Sequence, residues 1–303
     1  MIVRPNLHWL RMMFVWRGSV LPSILPQLGV TTAFALVVTL CHGRLFAWKI
    51  PLTFVPFSLI GLTLAIFLGF RNSTSYARYW EARVLWGSIL NETRSLARQA
   101  LTLTDDASDA PPFVRVLIAF THALRHQLRD SDPSGDLARL LEPHEIERVG
   151  RAQFKPAVLL LIAGERLREM RTRGQIAPVL VPAMEIPLGR LSDALGGCER
   201  IASTPIPFTY AVILHRTIYL YCFLLPFGLL DSIHGMTPVI VAFLSYTFFA
   251  LEALGAEIEH PFGVEPNDLA LGAISSGIEA TLREMLGERD LGPKPEPVDY
   301  VLI

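Results

Sequence analysis

Charge is in short supply in this sequence. Only 18% of its 303 residues are charged, against about 25% in soluble domains, and lysine occurs at positions 49, 155 and 294 alone. The net charge of -1 excludes a strongly basic nucleic-acid binder and supplies no overall field that would select ions by sign. Cysteine is sparse too: Cys41, Cys198 and Cys222 are too widely spaced for a disulfide framework or a zinc pattern, and read as packing residues. There is no HExxH, no GxSxG elbow, no phosphate-binding glycine loop, no strand-like alternation and no internal repeat. Metalloprotease, serine-hydrolase, nucleotide-binding and inverted-repeat-transporter readings therefore have no starting point. No nucleophile, base and orienting group can be assembled, so neither an enzyme nor a cofactor or metal is expected.

Long apolar runs take the place of charge. The composition is 51% hydrophobic with a mean hydropathy of +0.39, which points to a membrane protein. Residues 50–70 carry no charge and are long enough to cross a hydrocarbon core about 30 Å thick, which takes about 20 residues at 1.5 Å each. Further spans are expected at about 21–41, 208–230 and 237–256. Pro22 and Pro26 fall near the start of the first, where a missing amide donor costs least. No proline occurs between 57 and 110, so the second span is expected to continue as one helix into polar sequence. Tyr76, Tyr79, Trp80 and Trp86 stand at that crossing, and their half-polar rings suit the headgroup level.

From 71 to 203 no run is long enough to span. Amphipathic helices are expected over 71–103, 111–129 and 144–173, separated by loops at 105–109 and 130–135 rich in Asp, Ser, Pro and Gly. A fourth, over 181–200, has its start blurred by Pro178, Pro182 and Pro187. Residues 257–303 are polar again and end in PKPEPVDYVLI, a tail expected to drape over another surface. The first 20 residues interleave Arg4, Arg11 and Arg17 with Trp9, Met12, Met13, Phe14 and Trp16, which suits an amphipathic surface segment better than a cleaved signal. The arginine bias puts both termini and the polar region in the cytoplasm. Residues 1–303 read as one all-α membrane unit with four spans and a cytoplasmic helical region at about 71–203 and 257–303.

Several residues invite a functional reading beside a plainer one. Leu62, Ile66 and Phe70, spaced by four, drift about 40° per step and form one stripe; on sequence alone it is lipid contact or helix packing. Ser73 and Ser75 either face a pore mouth or bond local backbone. Arg71, Arg78, Glu81 and Arg83 either attract ions or pair, Glu81 with an arginine. His122 and His126 lack a third ligand and read as a solvated pair. His215 and Arg216 lie within a span near its cytoplasmic end, placed to snorkel or to pair with Glu252. Glu257, Glu259, Glu265, Asn267 and Asp268 form an oxygen-rich cluster of a kind that holds calcium, or Asp268 caps a following helix.

Three stretches, in this order, carry a resemblance: RNSTSYARYWEARVLWG (71–87), STPIPFTYAVILHRTIYLYCFLLPFGL (203–229) and EIEHPFGVEPNDLAL (257–271). From about Trp9 to about Leu271 the chain resembles the bestrophin family in its bacterial branch. The matching motif positions are Arg71, Asn72, Ser73, Arg78, Tyr79, Trp80 and Glu81, and later Pro261, Phe262 and Gly263. The resemblance implies a bestrophin-type pentameric barrel in the cell (inner) membrane, four transmembrane helices per subunit, with an ion pore on the symmetry axis. Five copies of Leu62, Ile66 and Phe70 would then stack as three apolar rings, a neck that blocks ions by shedding water and opens when its helices move. A second, cytoplasmic constriction falls on Val179 through RGQIAPVLV (173–181), with Ile176 and Leu180 as alternative registers. Eukaryotic relatives build a calcium clasp from an acidic run after the PFG motif. Here Val264, Pro266 and Asn267 break that run, so no calcium activation is expected. The implied partners are further copies of the chain, the bilayer and monovalent ions: chloride by the family's label, cations in some bacterial relatives. Two other classes stay open. A secondary transporter would want central charges that the second and fourth spans lack. A membrane-anchored scaffold would pass no current.

Overall fold

The apolar runs fold as helices in the computed structural model, which describes residues 1–5, 8–45, 48–49 and 52–303. A short helix α1 (Trp9–Met12) precedes α2 (Leu21–Leu40), and the two-residue strands β1 (Arg44–Leu45) and β2 (Trp48–Lys49) pair antiparallel. Helix α3 (Phe54–Thr102) then runs 49 residues without a break, about 74 Å at 1.5 Å per residue. Its one proline, Pro56, lies in the first turn, where no intrahelical amide is lost. There follow α4 (Ala110–Leu128), α5 (Ser134–Leu140), α6 (Pro143–Gly150), α7 (Lys155–Thr172), α8 (Val181–Ser203), α9 (Phe208–Ile233), α10 (Thr237–Ile258) and α11 (Leu271–Met285). Three stretches are long and apolar enough to cross a membrane: Leu21–Leu40, Phe54–Thr102 and Phe208–Ile258. The third is α9 and α10 joined by a 3-10 turn, His234–Met236, entered with His234 at φ 47°.

Where the structure departs from the sequence reading, the causes are local. The second span begins at Phe54 rather than 50, and Ile50 and Pro51 lie outside the described residues. Pro26 falls inside α2, past its first turn. The helix expected over 144–173 is two helices, because Pro156 at the second position of α7 cannot donate and crowds the preceding turn. The loop expected at 130–135 gives way to α5 at Ser134, whose amide and hydroxyl both donate to Asp132 Oδ1, at 3.1 and 2.6 Å. The start of α8 is settled by a 3-10 turn at Pro178–Leu180. Helix α11 lies within the polar stretch for which the sequence suggested no helix bounds. The tail does find a seat: the Met1 amino group donates to the Leu302 carbonyl at 2.7 Å, and Ala273 at the start of α11 donates to that of Ile303 at 3.1 Å.

The described residues form two compact units, each discontinuous in sequence. One comprises Arg4–Tyr79 and Pro205–His260. Its core gathers Ile24 and Ala35 of α2, Leu64 and Leu68 of α3, Ile218 and Cys222 of α9, and Val241 and Phe249 of α10. Glycine allows the closest approaches: a Cβ at Gly228 would stand 2.4 Å from the Phe57 ring, and one at Gly255 2.1 Å from Asn72 Oδ1.

The other unit comprises Met1–Val3, Trp80–Thr204 and Pro261–Ile303. Helix α4 is apolar nearly all round, with Phe113, Val114, Val116, Leu117, Ile118 and Phe120 buried, as befits a helix enclosed by others. His122 of α4 is 2% exposed, so the solvated-pair reading of His122 and His126 is corrected. Its Nε2 lies 2.7 Å from Glu279 Oε2 of α11, and Arg139 of α5 donates to both oxygens of the same carboxylate. His126 Nε2 lies 3.1 Å from Asp136 Oδ2, which also accepts from Arg125 Nη2 at 2.6 Å. Burial alone would raise the Glu279 carboxyl, but the hydrogen bonds from His122 and Arg139 outweigh it and hold the group at about 2.

Two outcomes follow. Gly228→Ala overpacks the α3–α9 contact at a cost of about 1–3 kcal/mol, read as a lowered melting temperature of the solubilised protein. Because the folded-state value for Glu279 lies below the usual carboxylate range, its stabilisation is present above about pH 4.5 and fades as pH falls towards 2. Glu279→Gln lowers stability at neutral pH and flattens that acid limb in melts run across the pH range.

Candidate functional site

Helix α3 shows two faces within its apolar part. Leu64 and Leu68 are 3% and 1% exposed, whereas Leu62, Ile66 and Phe70 are 61%, 50% and 65% exposed. Residues two apart on a helix differ by about 200°, so the stripe points away from the core that its neighbours fill. Packing within the chain does not explain it. Leu62, Ile66 and Phe70 are an apolar surface presented outward.

Directly after Phe70 the polarity changes, and Arg71, Asn72 and Arg78 turn inward. Arg71 is 6% exposed, and its Nη2 lies 3.3 Å from Glu259 Oε2, also buried. Asn72 Nδ2 donates to the Leu251 carbonyl at 3.1 Å, its side chain filling the space left by Gly255. Arg78 Nε donates to the Glu259 carbonyl at 3.2 Å. Glu259 closes the C-terminus of α10, where unpaired carbonyls accumulate negative charge and a guanidinium is favoured. Arg71, Asn72 and Arg78 thus clasp α10, and none of the three is a free ion attractor. Ser73 is exposed, Ser75 is fully buried, and Tyr79 stacks on Tyr76 with ring centroids 6.4 Å apart.

In the other unit, Trp80 is exposed and Glu81 accepts a hydrogen bond from Arg200 of α8. Val179 sits in the 3-10 turn before α8 and is 80% exposed. Ile176, three residues earlier, is buried at 1%, which leaves it unable to line an opening from this chain. Pro261, Phe262 and Gly263 open a loop closed on itself: Leu269 N donates to the Pro261 carbonyl at 2.9 Å, and Glu265 N donates to Asp268 Oδ2 at 2.8 Å. Asp268 therefore caps its own loop; the residue before α11 is Ala270. Arg129, at the end of α4, donates to the carbonyls of Phe262 and Leu269 at 3.2 and 3.3 Å. Burial and the neighbouring Arg125 push the Arg129 guanidinium below its usual value, with Asp268 opposing. Nothing in the sequence singles Arg129 out, since its partners are backbone carbonyls 133 and 140 positions away. The structure brings Arg71, Asn72 and Arg78 together on α10. Among the described residues no three His, Cys, Asp or Glu side chains converge as a metal site.

The model of a family described as Bacterial/Fungal bestrophin protein matches residues 1–284. The chain is 49% identical, over the full length of both, to a voltage-dependent anion channel-forming protein of Ralstonia nicotianae. It is 44% identical, over 98% of each, to a voltage-dependent anion channel-forming protein of Escherichia coli. A crystal structure of a bacterial bestrophin homolog from Klebsiella pneumoniae matches with a TM-score of 0.84 at 40% identity, covering 88% of this chain and 99% of that one.

The buried Arg71–Glu259 pair makes a test. Glu259→Gln leaves a guanidinium buried without its counter-charge, which costs about 3–5 kcal/mol. The double variant Arg71→Met, Glu259→Leu buries no charge and recovers most of the melting temperature lost by the single one.

Proposed function

The chain belongs to the Bacterial/Fungal bestrophin family, and from that premise we propose that it is a passive ion channel, a homopentamer with its pore on the symmetry axis. The observation that carries this reading is the outward apolar stripe of α3, Leu62, Ile66 and Phe70, each of which stays half or more exposed among the described residues. Five such stripes facing one another line a neck that ions enter only by losing hydration. The apolar rings act as the gate, because a narrow dry constriction conducts once it widens enough to wet. Residues 1–303 act as a single bestrophin-type unit. Its spans are α2, the apolar first part of α3, α9 and α10, with both termini on the cytoplasmic side of the inner membrane.

Val179, exposed at the tip of its turn, forms the second ring at the cytoplasmic aperture. Arg71, Asn72 and Arg78 hold the orientation of the neck helix, and Ser73, Tyr79, Trp80 and Glu81 carry the same helix beyond the neck. Pro261, Phe262 and Gly263 set the turn after α10. No chemistry is performed on the permeant ion, and no calcium enters the loop at 261–269. The names of the relatives favour anions as the permeant species.

The reading is tested in planar bilayers holding the purified full-length protein under a salt gradient. Current is expected, reversing near the chloride equilibrium potential, and larger for Ile66→Ala because the neck is wider. Absence of current from both proteins rejects the channel and leaves the membrane-anchored scaffold. Reversal at the sodium or potassium potential keeps the channel and overturns its anion selectivity.

A further inference from the structure

A cavity of about 550 Å³ opens between α2, α9 and α10. Its polar lining includes Gln27, Arg71, His215, Arg216, Tyr219 and Glu252. Most of these are spoken for. His215 Nδ1 lies 2.8 Å from Glu252 Oε1, and the imidazole is held by the Tyr219 ring at 4.3 Å between centroids, which rests in turn on Phe249 at 4.9 Å. Arg71 Nη2 is bonded to Glu259, but its buried Nε has no hydrogen-bond partner among the described residues. Arg216 is exposed and has neither an ion-pair nor a hydrogen-bond partner among them. A guanidinium left without a counter-ion in a helix this apolar is costly. The lip of the cavity, by contrast, is apolar, with Phe208, Ala211 and Val212.

Depth and shape narrow the ligand. Ser23 to Gln27 fall within about 10 Å of the start of α2, and Phe208 to His215 within about 12 Å of the start of α9, at 1.5 Å per residue. For helices that cross a bilayer, that is close to headgroup depth, with Phe208, Ala211 and Val212 on the shallow side of Arg216. We infer that this cavity binds the anionic phosphodiester headgroup of a membrane lipid, with Arg216 as its principal counter-ion and the apolar residues Phe208, Ala211 and Val212 flanking its entrance. Guanidinium matches phosphate in charge and in planar donor geometry, and basic pockets between membrane helices select anionic headgroups. The inference rests on α2, α9 and α10 spanning the membrane, as in the reading above.

The test is the melting temperature of the full-length protein in neutral detergent, titrated separately with phosphatidylglycerol, phosphatidylcholine and inorganic phosphate. Phosphatidylglycerol is expected to stabilise saturably, and the other two to have little effect. Arg216→Gln should weaken the phosphatidylglycerol response about tenfold, as loss of one charge-assisted contact implies. Ala211→Phe, which fills the lip and keeps every charge, should weaken it as well. Equal responses to phosphatidylglycerol in the wild type and Arg216→Gln would overturn the inference. So would a phosphatidylcholine response as strong, or inorganic phosphate reproducing the whole effect. Bilayer currents of the same preparations separate the two proposals: Arg216-dependent lipid binding without current rejects the channel alone, and current without such binding rejects the lipid site alone.

Discussion

A buried guanidinium decides which way the long helix faces. Phe70 and Arg71 are neighbours on α3, about 100° apart, one exposed and the other enclosed with Glu259. Rotating α3 to bury Phe70 would draw Arg71 out of its pair and leave two charges without partners. Such pairs contribute little net stability, but they penalise alternative registers heavily. Asn72, fitted against Gly255, enforces the same setting sterically. With that rotation fixed, Leu62 and Ile66 face outward by geometry alone, since each lies about 40° from the next in the stripe.

Much of this is legible in the sequence itself. The apolar runs, their connections and the absence of proline from 57 to 110 are local signals, and α2, α3, α9 and α10 fall close to where those signals put them. Element type failed where a single residue redirected the chain, as Pro156 did between α6 and α7, or where a loop-like composition hid a short helix, as with α5. Pairings across the chain were out of reach. His122 and Glu279 are 157 positions apart, and Arg71 and Glu259 are 188 apart. A histidine pair four apart looks solvated until the helix that carries it proves to be enclosed on all sides.

The motif that marks the family turns out, in this chain, to be more about holding helices than about handling ions. Arg71, Asn72 and Arg78 all end on α10, two of them on backbone carbonyls. The PFG loop shows the same economy: Arg129 reaches two of its carbonyls and Asp268 ties down its own turn. Backbone acceptors are indifferent to side-chain identity, so a sequence shows the donor and hides its target. That is why a run of arginines and carboxylates after an apolar helix reads ambiguously, as an ion funnel or as a set of clasps, until the partners are known.

Separating clasp from conduit has a consequence for selectivity. An apolar neck distinguishes ions by the cost of dehydration and by width, neither of which depends on the sign of charge to first order. Arg71 is paired with Glu259 and Glu81 with Arg200, while Arg78 is held on a backbone carbonyl of Glu259, so the charges nearest the stripe in sequence are engaged within the chain. In the proposed channel, the sign of the permeant ion would then be set by groups with charge to spare at the ends of the path, or by backbone dipoles lining it. Arg83, one turn beyond the clasp and exposed, carries its charge where partners within the chain no longer dictate its direction. On the proposed channel reading, gate and selectivity would be separable on α3: the gate would belong to side chains that the clasp turns outward, and the ion's sign to charges that the clasp does not consume.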